Sequence, residues 1–364
     1  MKKLIRKNIL QIKPYQPGKP IEELQREIDS QEIIKLASNE NVLPPSMKVT
    51  LAIKKALNTI NRYPDGNCYY LKKKLAKKLK VKPVEVIVGN GSDEIIVLAL
   101  RAFLNPGEEV IIADPTFLIY KIAAQIEGAK IKFVPLKKLR YDLEAMASAV
   151  TSKTKIVFIA NPDNPTGTYL TQKEIKRFLS KIPAKTIIFF DEAYFDFTKD
   201  CPDFPDTLKL INRRNIIITR TFSKIHSLAG LRIGYGLARE EIVDYLNRVR
   251  DPFNVNSLAQ VAAIAALDDT QHVKRTLEMV KKGKKYLYNQ LNKLQLEYMP
   301  SATNFILIDL NEDARPVIED LLKNGLIVRN MTAWGLKNFI RVTIGTMKQN
   351  IKFINLLKVY LNRR

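Results

Sequence analysis

Along the middle of the chain, short runs of Val, Ile and Phe alternate with longer stretches whose apolar residues recur every third or fourth position. Val84–Val88, Val110–Ala113, Ile131–Val134, Ile156–Ala160, Ile187–Phe190 and Ile216–Thr219 have strand length and are mostly apolar, which predicts strands covered on both faces. Helices are predicted where Gly89-Asn-Gly-Ser-Asp-Glu94 opens a periodic stretch reaching Phe103, over Phe117–Glu127 and over Lys173–Ser180. This alternation gives an α/β large domain: a mostly parallel sheet flanked by helices. A helical stretch from about Ser257 to Leu294 leads out of it. Strand-like Asn304–Asp309 and Phe339–Ile344 then surround a helix over Arg315–Asn324, a smaller α+β domain. Lys13–Pro20 is too rich in proline for a helix and reads as an extended arm able to cross a subunit surface. The expected division is residues 1–40 as an arm joining the small domain, 41–260 as the large domain and 261–364 as the small one.

Composition narrows the class without changing the fold. The 364 residues, 46% of them hydrophobic, suit a soluble globular protein of two domains. The longest apolar runs fall far short of the roughly 20 residues that span a bilayer, and Met1–Leu10 lacks the apolar run of a signal peptide. Cys68 and Cys201 have neither metal spacing nor a disulfide framework and are read as free thiols in a reducing cytoplasm. Lys and Arg outnumber Asp and Glu by 60 to 37, a formal charge of +23 that admits a nucleic-acid partner on electrostatic grounds. The lysines are spread along helical patterns such as Leu71–Leu79, however, which is the pattern of a solvated face. An anionic substrate is a sufficient beneficiary of the field, so neither nucleic acid nor membrane is expected as a partner.

Candidate chemistry gathers where the strands end. Ile216–Thr221 runs from a buried strand into a polar turn carrying Ser223-Lys224, with Arg232 eight residues on. Asp191-Glu-Ala-Tyr194 closes the Ile187–Phe190 run, and Asn161-Pro-Asp-Asn-Pro-Thr-Gly167 follows another strand. An amine, a strand-end acid and an arginine at these intervals suit pyridoxal 5′-phosphate. Lys224 would bond to its aldehyde and then act as the local base. Asp191 would hold its ring nitrogen protonated, and Tyr194 and Asn164 would reach its ring hydroxyl. Gly91, Ser92 and Asp93 open a helix whose N–H groups favour an anion. Thr221, Ser223 and Arg232 would complete a phosphate cup. Phe117 is placed to stack on the ring, with core packing as the alternative. His226, two residues past Lys224, is read as local packing, with lining of the pocket as the alternative. Arg329 and Arg341 suit an anionic substrate group, with surface exposure the alternative for each.

Taken together, these segments resemble the fold type I (aspartate aminotransferase-like) pyridoxal-phosphate enzymes over roughly Tyr15 to Thr346. Within that superfamily the chain is similar to the histidinol-phosphate aminotransferase family. The matching stretches are Pro14–Leu24, Leu36–Asn41, Arg62–Asp65, Gly91–Glu94, Asn161–Gly167, Asp191–Tyr194, Arg220–Lys224 and Arg341–Gly345. The resemblance implies amino transfer between histidinol phosphate and 2-oxoglutarate, giving imidazole-acetol phosphate and glutamate. It also implies a homodimer in which Tyr63 enters the neighbouring subunit's site, and substrate contacts from Tyr15, Asn39, Arg329 and Arg341. Two departures from the family pattern are Val42-Leu-Pro-Pro45 after Asn41 and Ser227 in place of a glycine. An aromatic amino-acid (Phe/Tyr) aminotransferase on the same frame is the alternative, followed by a phospho-amino-acid decarboxylase and a nucleic-acid-binding protein that has lost catalysis.

Overall fold

The computed structural model describes residues 4–15, 17–28 and 32–363. Met1–Lys3 at the start of the N-terminal segment, and Gln16 in the proline-rich arm, lie outside them. Eleven strands occur in the described residues: β1 (Ile34–Leu36), β2 (Val86–Gly89), β3 (Glu109–Asp114), β4 (Lys130–Pro135), β5 (Thr154–Ala160), β6 (Ile187–Asp191), β7 (Ile216–Thr221), β8 (Gly234–Leu237), β9 (Phe305–Asp309), β10 (Leu326–Asn330) and β11 (Phe339–Thr343). Seven form one sheet in the order β2-β8-β7-β6-β5-β3-β4. Its strands β4, β3, β5, β6 and β7 pair in parallel, as continuous apolar runs require, and helices cover them.

β8 is antiparallel to both neighbours, β2 and β7, and has no apolar run to announce it. Its sequence is Gly-Tyr-Gly-Leu, and the glycines have a steric reason. A Cβ on Gly234 would stand 2.5 Å from the Ser92 nitrogen, and one on Gly236 would stand 2.9 Å from Ile87 Cγ2. Bare backbone at this point lets the N-terminus of the Ser92–Phe103 helix settle directly on the strand.

The second sheet runs β1-β10-β11-β9. β1 lies parallel to β10, so the N-terminal segment supplies an edge strand to a sheet built mainly from the C-terminal third. Periodicity alone found neither of these two short strands. The helical stretch expected from Ser257 to Leu294 is two helices, Ser257–Leu267 and Thr270–Lys293. The break falls at Asp268-Asp269, where the Asp269 carboxylate caps the second helix by accepting from the His272 N–H at 2.9 Å.

One hydrophobic core spans residues from Val49 to Leu267 around the large sheet. A second gathers β1, β9, β10 and β11 with the C-terminal helices, and Tyr194 and Ile225 also belong to it. The ends of β6 and β7 therefore sit where the two cores meet.

Candidate active site

The carboxyl ends of the parallel strands all open to one edge of the large sheet, the place where α/β folds hold ligands. Phe117 follows β3, Asn164 follows β5, Asp191 ends β6, Ser223 and Lys224 follow β7, and Ser92 and Asp93 follow β2. Since β8 runs the other way, its start brings Arg232 to the same edge. These residues, with Tyr120, Tyr194 and Thr221, line a cavity of about 350 Å³.

Asp191 lies at the floor, buried, accepting from the Tyr120 hydroxyl at 2.6 Å and the Ala193 N–H at 3.0 Å. Burial pushes its carboxyl up to about 6 against the pull of those neutral donors. A buried carboxylate with no cationic partner among the described residues suits a cationic ring nitrogen. Burial, helped by the Arg341 charge, pulls the Lys224 ammonium down to about 8. Its Nζ donates to the Ser38 carbonyl at 3.4 Å. At this value about one-tenth of the amine is neutral and nucleophilic at pH 7, far more than for a free lysine. Tyr194 accepts at its hydroxyl from Asn39 Nδ2 at 2.8 Å, and Asn39 holds a left-handed backbone (φ +56°) fixed by bonds to Thr343 and Asn304.

The other end of the cavity is a cradle for an anion. The Ser92–Phe103 helix begins at Gly91, which caps it without a side chain, so first-turn N–H groups face the opening. Gly91 has φ +81°, and a Cβ there would meet Arg232 Nη2 at 2.8 Å. Arg232 pairs with Asp93 at 3.2 Å with both side chains partly exposed, leaving its fork accessible. Thr221 and Ser223 are buried beside it, and the Ser223 N–H donates to the Thr221 hydroxyl at 3.1 Å. An amine, an unpaired buried acid and a phosphate cradle within one cavity fit pyridoxal phosphate. Ser227, where a glycine is the family norm, also has a left-handed backbone (φ +61°), and its hydroxyl lies 3.0 Å from His272 Nε2.

A smaller cavity of about 150 Å³ continues from the first and shares Ser38, Phe117, Asn164, Tyr194 and Lys224 with it. Tyr15, Asn39, Arg329 and Arg341 line it, so the four proposed substrate contacts come together. Arg329 and Arg341 face each other directly across β10 and β11, and both are buried. Exposure, the alternative weighed for each, is excluded. Arg341 donates to the Ala37 carbonyl at 3.1 Å and to Asn164 Oδ1; its Nε has no acceptor, and no carboxylate lies within ion-pair distance among the described residues. Burial and the neighbouring Arg329 draw it down to about 10.

Trp334 was missed by the sequence reading. It is buried between the two arginine strands, its ring 5.1 Å from the Arg329 guanidinium and 5.8 Å from that of Arg341. Its Nε1 donates to the Thr116 carbonyl at 2.8 Å. The available signal was that the chain has a single tryptophan, and that it stands between those strands. Also unforeseen is the buried pair behind Asp191, where Arg220 donates to Glu192 at 2.8 and 2.9 Å and stacks on Phe195. Tyr63 lies outside both cavities, 82% exposed, with its ring stacked on Phe253 at 4.6 Å. His226 is buried against Phe222 and lines neither cavity of the site.

A family model for aminotransferases of class I and II matches residues 31–357. Similar proteins include the histidinol-phosphate aminotransferase of Moorella thermoacetica, 50% identical over 98% of this chain and 92% of that protein. That of Caldicellulosiruptor saccharolyticus is 44% identical over 98% of this chain and 100% of that protein. Among solved structures, histidinol-phosphate aminotransferase from Sinorhizobium meliloti in complex with pyridoxal-5′-phosphate matches with a TM-score of 0.89 at 26% identity. The match covers 99% of this chain and 98% of that one.

Proposed function

Because this chain belongs to the class I and II aminotransferases, and within them to the histidinol-phosphate aminotransferase family, we propose that it moves the amino group of L-histidinol phosphate to 2-oxoglutarate. The products are imidazole-acetol phosphate and glutamate, a step of histidine biosynthesis, and the cofactor is pyridoxal 5′-phosphate. The residues that would hold it are Lys224 at the aldehyde, Asp191 at the ring nitrogen, and Asn164 and Tyr194 at the ring hydroxyl. Phe117 would lie on the ring face, with Gly91, Ser92, Asp93, Thr221, Ser223 and Arg232 at the phosphate.

When bound, that group supplies an aldehyde for the substrate amine and a ring that accepts electrons. The chain supplies the rest. Lys224 Nζ, its basicity lowered by burial, takes the proton from the substrate carbon bearing the amine. Asp191 keeps a proton on the ring nitrogen by its charge. Tyr194, oriented by Asn39, donates from its hydroxyl, and the two arginines orient the substrate by its anionic group.

The observation that carries this reading is the facing pair Arg329 and Arg341 beside the Lys224–Asp191 cavity. Like charges directly opposite on paired strands are destabilising, and burial adds a desolvation cost. The anionic group of either substrate would offset that cost at Arg341, which has no carboxylate within ion-pair distance among the described residues. Histidinol phosphate offers a phosphate and glutamate two carboxylates, and a guanidinium fork fits either.

The active unit in this reading is a homodimer. Tyr63, exposed beside the exposed Leu57 and Ile60, would contact the cofactor phosphate of the neighbouring subunit. Location in the cytoplasm accords with two free cysteines and with the absence, among the described residues, of a helix long and apolar enough to cross a membrane. We place the domain limits at about residues 40 and 260, and the core of the large domain runs past the second of these to Leu267, the end of the Ser257–Leu267 helix. The test is kcat/KM for histidinol phosphate, phenylalanine and tyrosine with 2-oxoglutarate as acceptor. Histidinol phosphate should lead by at least about tenfold, about 1.4 kcal/mol of transition-state binding. A lead for an aromatic amino acid, or release of carbon dioxide, would overturn the assignment.

A further inference from the structure

A second and larger cavity, about 1040 Å³, lies beyond the end of β7 and shares only Thr221 with the cavity around Lys224. It takes no part in the chemistry described above. Its apolar walls come from three separate segments: Leu75 and Leu79 on the Tyr69–Leu79 helix, Phe195 and Phe197 after β6, and Leu277 and Val280 on the Thr270–Lys293 helix. The volume is at the upper end of small-molecule sites.

Lysines surround this apolar interior. Lys78, Lys199, Lys274, Lys281, Lys284 and Lys285 line it against three acids, Asp196, Asp200 and Glu278, apart from the Arg220 already neutralised by Glu192. Lys281 is paired with Asp200 at 2.9 Å. Lys284 is different. It reaches the Ser301 carbonyl at 2.5 Å, and no carboxylate lies within ion-pair distance of it among the described residues. Burial pulls its ammonium down to about 8, and burial pushes the Asp196 carboxyl elsewhere in the lining up from its ordinary value. The interior thus offers apolar surface for an organic body and, in Lys284, a cation without an ion-pair partner among the described residues for one charged head. Long lysine stems around the opening add apolar contact of their own.

We propose that this cavity binds an amphipathic organic anion, with an aliphatic or aromatic body between the three segments and a carboxylate, sulfonate or phosphate head at Lys284. Such an occupant rests on Phe195 and Arg220, the chain neighbours of Tyr194 and Thr221 in the active-site cavity. It is nevertheless a separate site.

The test uses the cofactor-loaded full chain, titrated with 1-anilinonaphthalene-8-sulfonate by fluorescence and calorimetry, with dodecanoate as competitor. One saturable dye site per chain is expected, weakened by salt, displaced by dodecanoate and unaffected by histidinol phosphate. Lys284→Gln should weaken the dye by about tenfold, a loss of about 1.4 kcal/mol, with kcat/KM for transamination changed less than about twofold. If that variant fails to fold, the rim variant carrying Lys274→Glu and Lys281→Glu decides, with the same loss expected. Binding without saturation, displacement by histidinol phosphate, or equal dye affinity in the variants would overturn the proposal.

Discussion

Burial lowers the basicity of Lys224 and raises that of Asp191. In the proposed mechanism Lys224→Ala removes both the amine that would hold the cofactor and the base, so the visible absorbance of the loaded enzyme should vanish and kcat should fall by at least about 10²–10⁴-fold. Absorbance and single-turnover measurements check both. Asp191 carries a pH signature. Its folded value of about 6 stands above the free value of 3.8, so its contribution to stability is complete below 3.8 and is lost as pH rises through about 6. In the cofactor-free protein, Asp191→Asn should therefore gain stability relative to the parent across that window, by about 3 kcal/mol at most. Denaturant unfolding at both ends of the window measures it, and a difference independent of pH would contradict the assignment. Arg341 shows where sequence reasoning stops. Strand alternation could place it on one face of β11, but only tertiary packing tells that both faces of that strand are covered. Trp334 was illegible for the same reason, since a lone aromatic after a short strand carries no period.

At the scale of elements, the apolar runs made the parallel strands easy to read because a doubly covered strand has almost nowhere to put a polar residue. β5, β6 and β7 appeared within a residue or two of their predicted limits. β8 was invisible because its specificity lies in what is missing: two glycines that admit a helix terminus. Gly234→Ala tests this. Its Cβ would press on the Ser92 nitrogen, costing about 1–3 kcal/mol and displacing the N–H groups of the phosphate cradle. Cofactor affinity should fall along with stability, measured by equilibrium dialysis and thermal unfolding. Unchanged affinity would remove the Ser92–Phe103 helix N-terminus from the phosphate site. The break at Asp268-Asp269 was likewise hidden, because apolar periodicity continues across it while a carboxylate restarts the helix.

At the scale of the molecule, the two cores meet at the strand ends, so one cavity can draw a lysine from the large sheet and two arginines from the small one. Sequence motifs named Lys224, Asp191, Arg329 and Arg341, which the fold brings together, but not Trp334, and only the fold shows that β10 and β11 bring the arginines opposite each other. The dimer reading has its own consequence. Lys224→Ala and Tyr63→Ala homodimers should each be impaired, yet dissociating and remixing them should restore activity, since one mixed site contains both intact residues. Absence of recovery in verified heterodimers would place Tyr63 outside the neighbouring site. The most direct measurement is a half-reaction. Cofactor-loaded enzyme mixed with L-histidinol phosphate alone should lose its visible absorbance and form one imidazole-acetol phosphate per chain, and 2-oxoglutarate should then restore the spectrum. A spectrum unmoved by histidinol phosphate, but discharged by phenylalanine or tyrosine, would contradict the account.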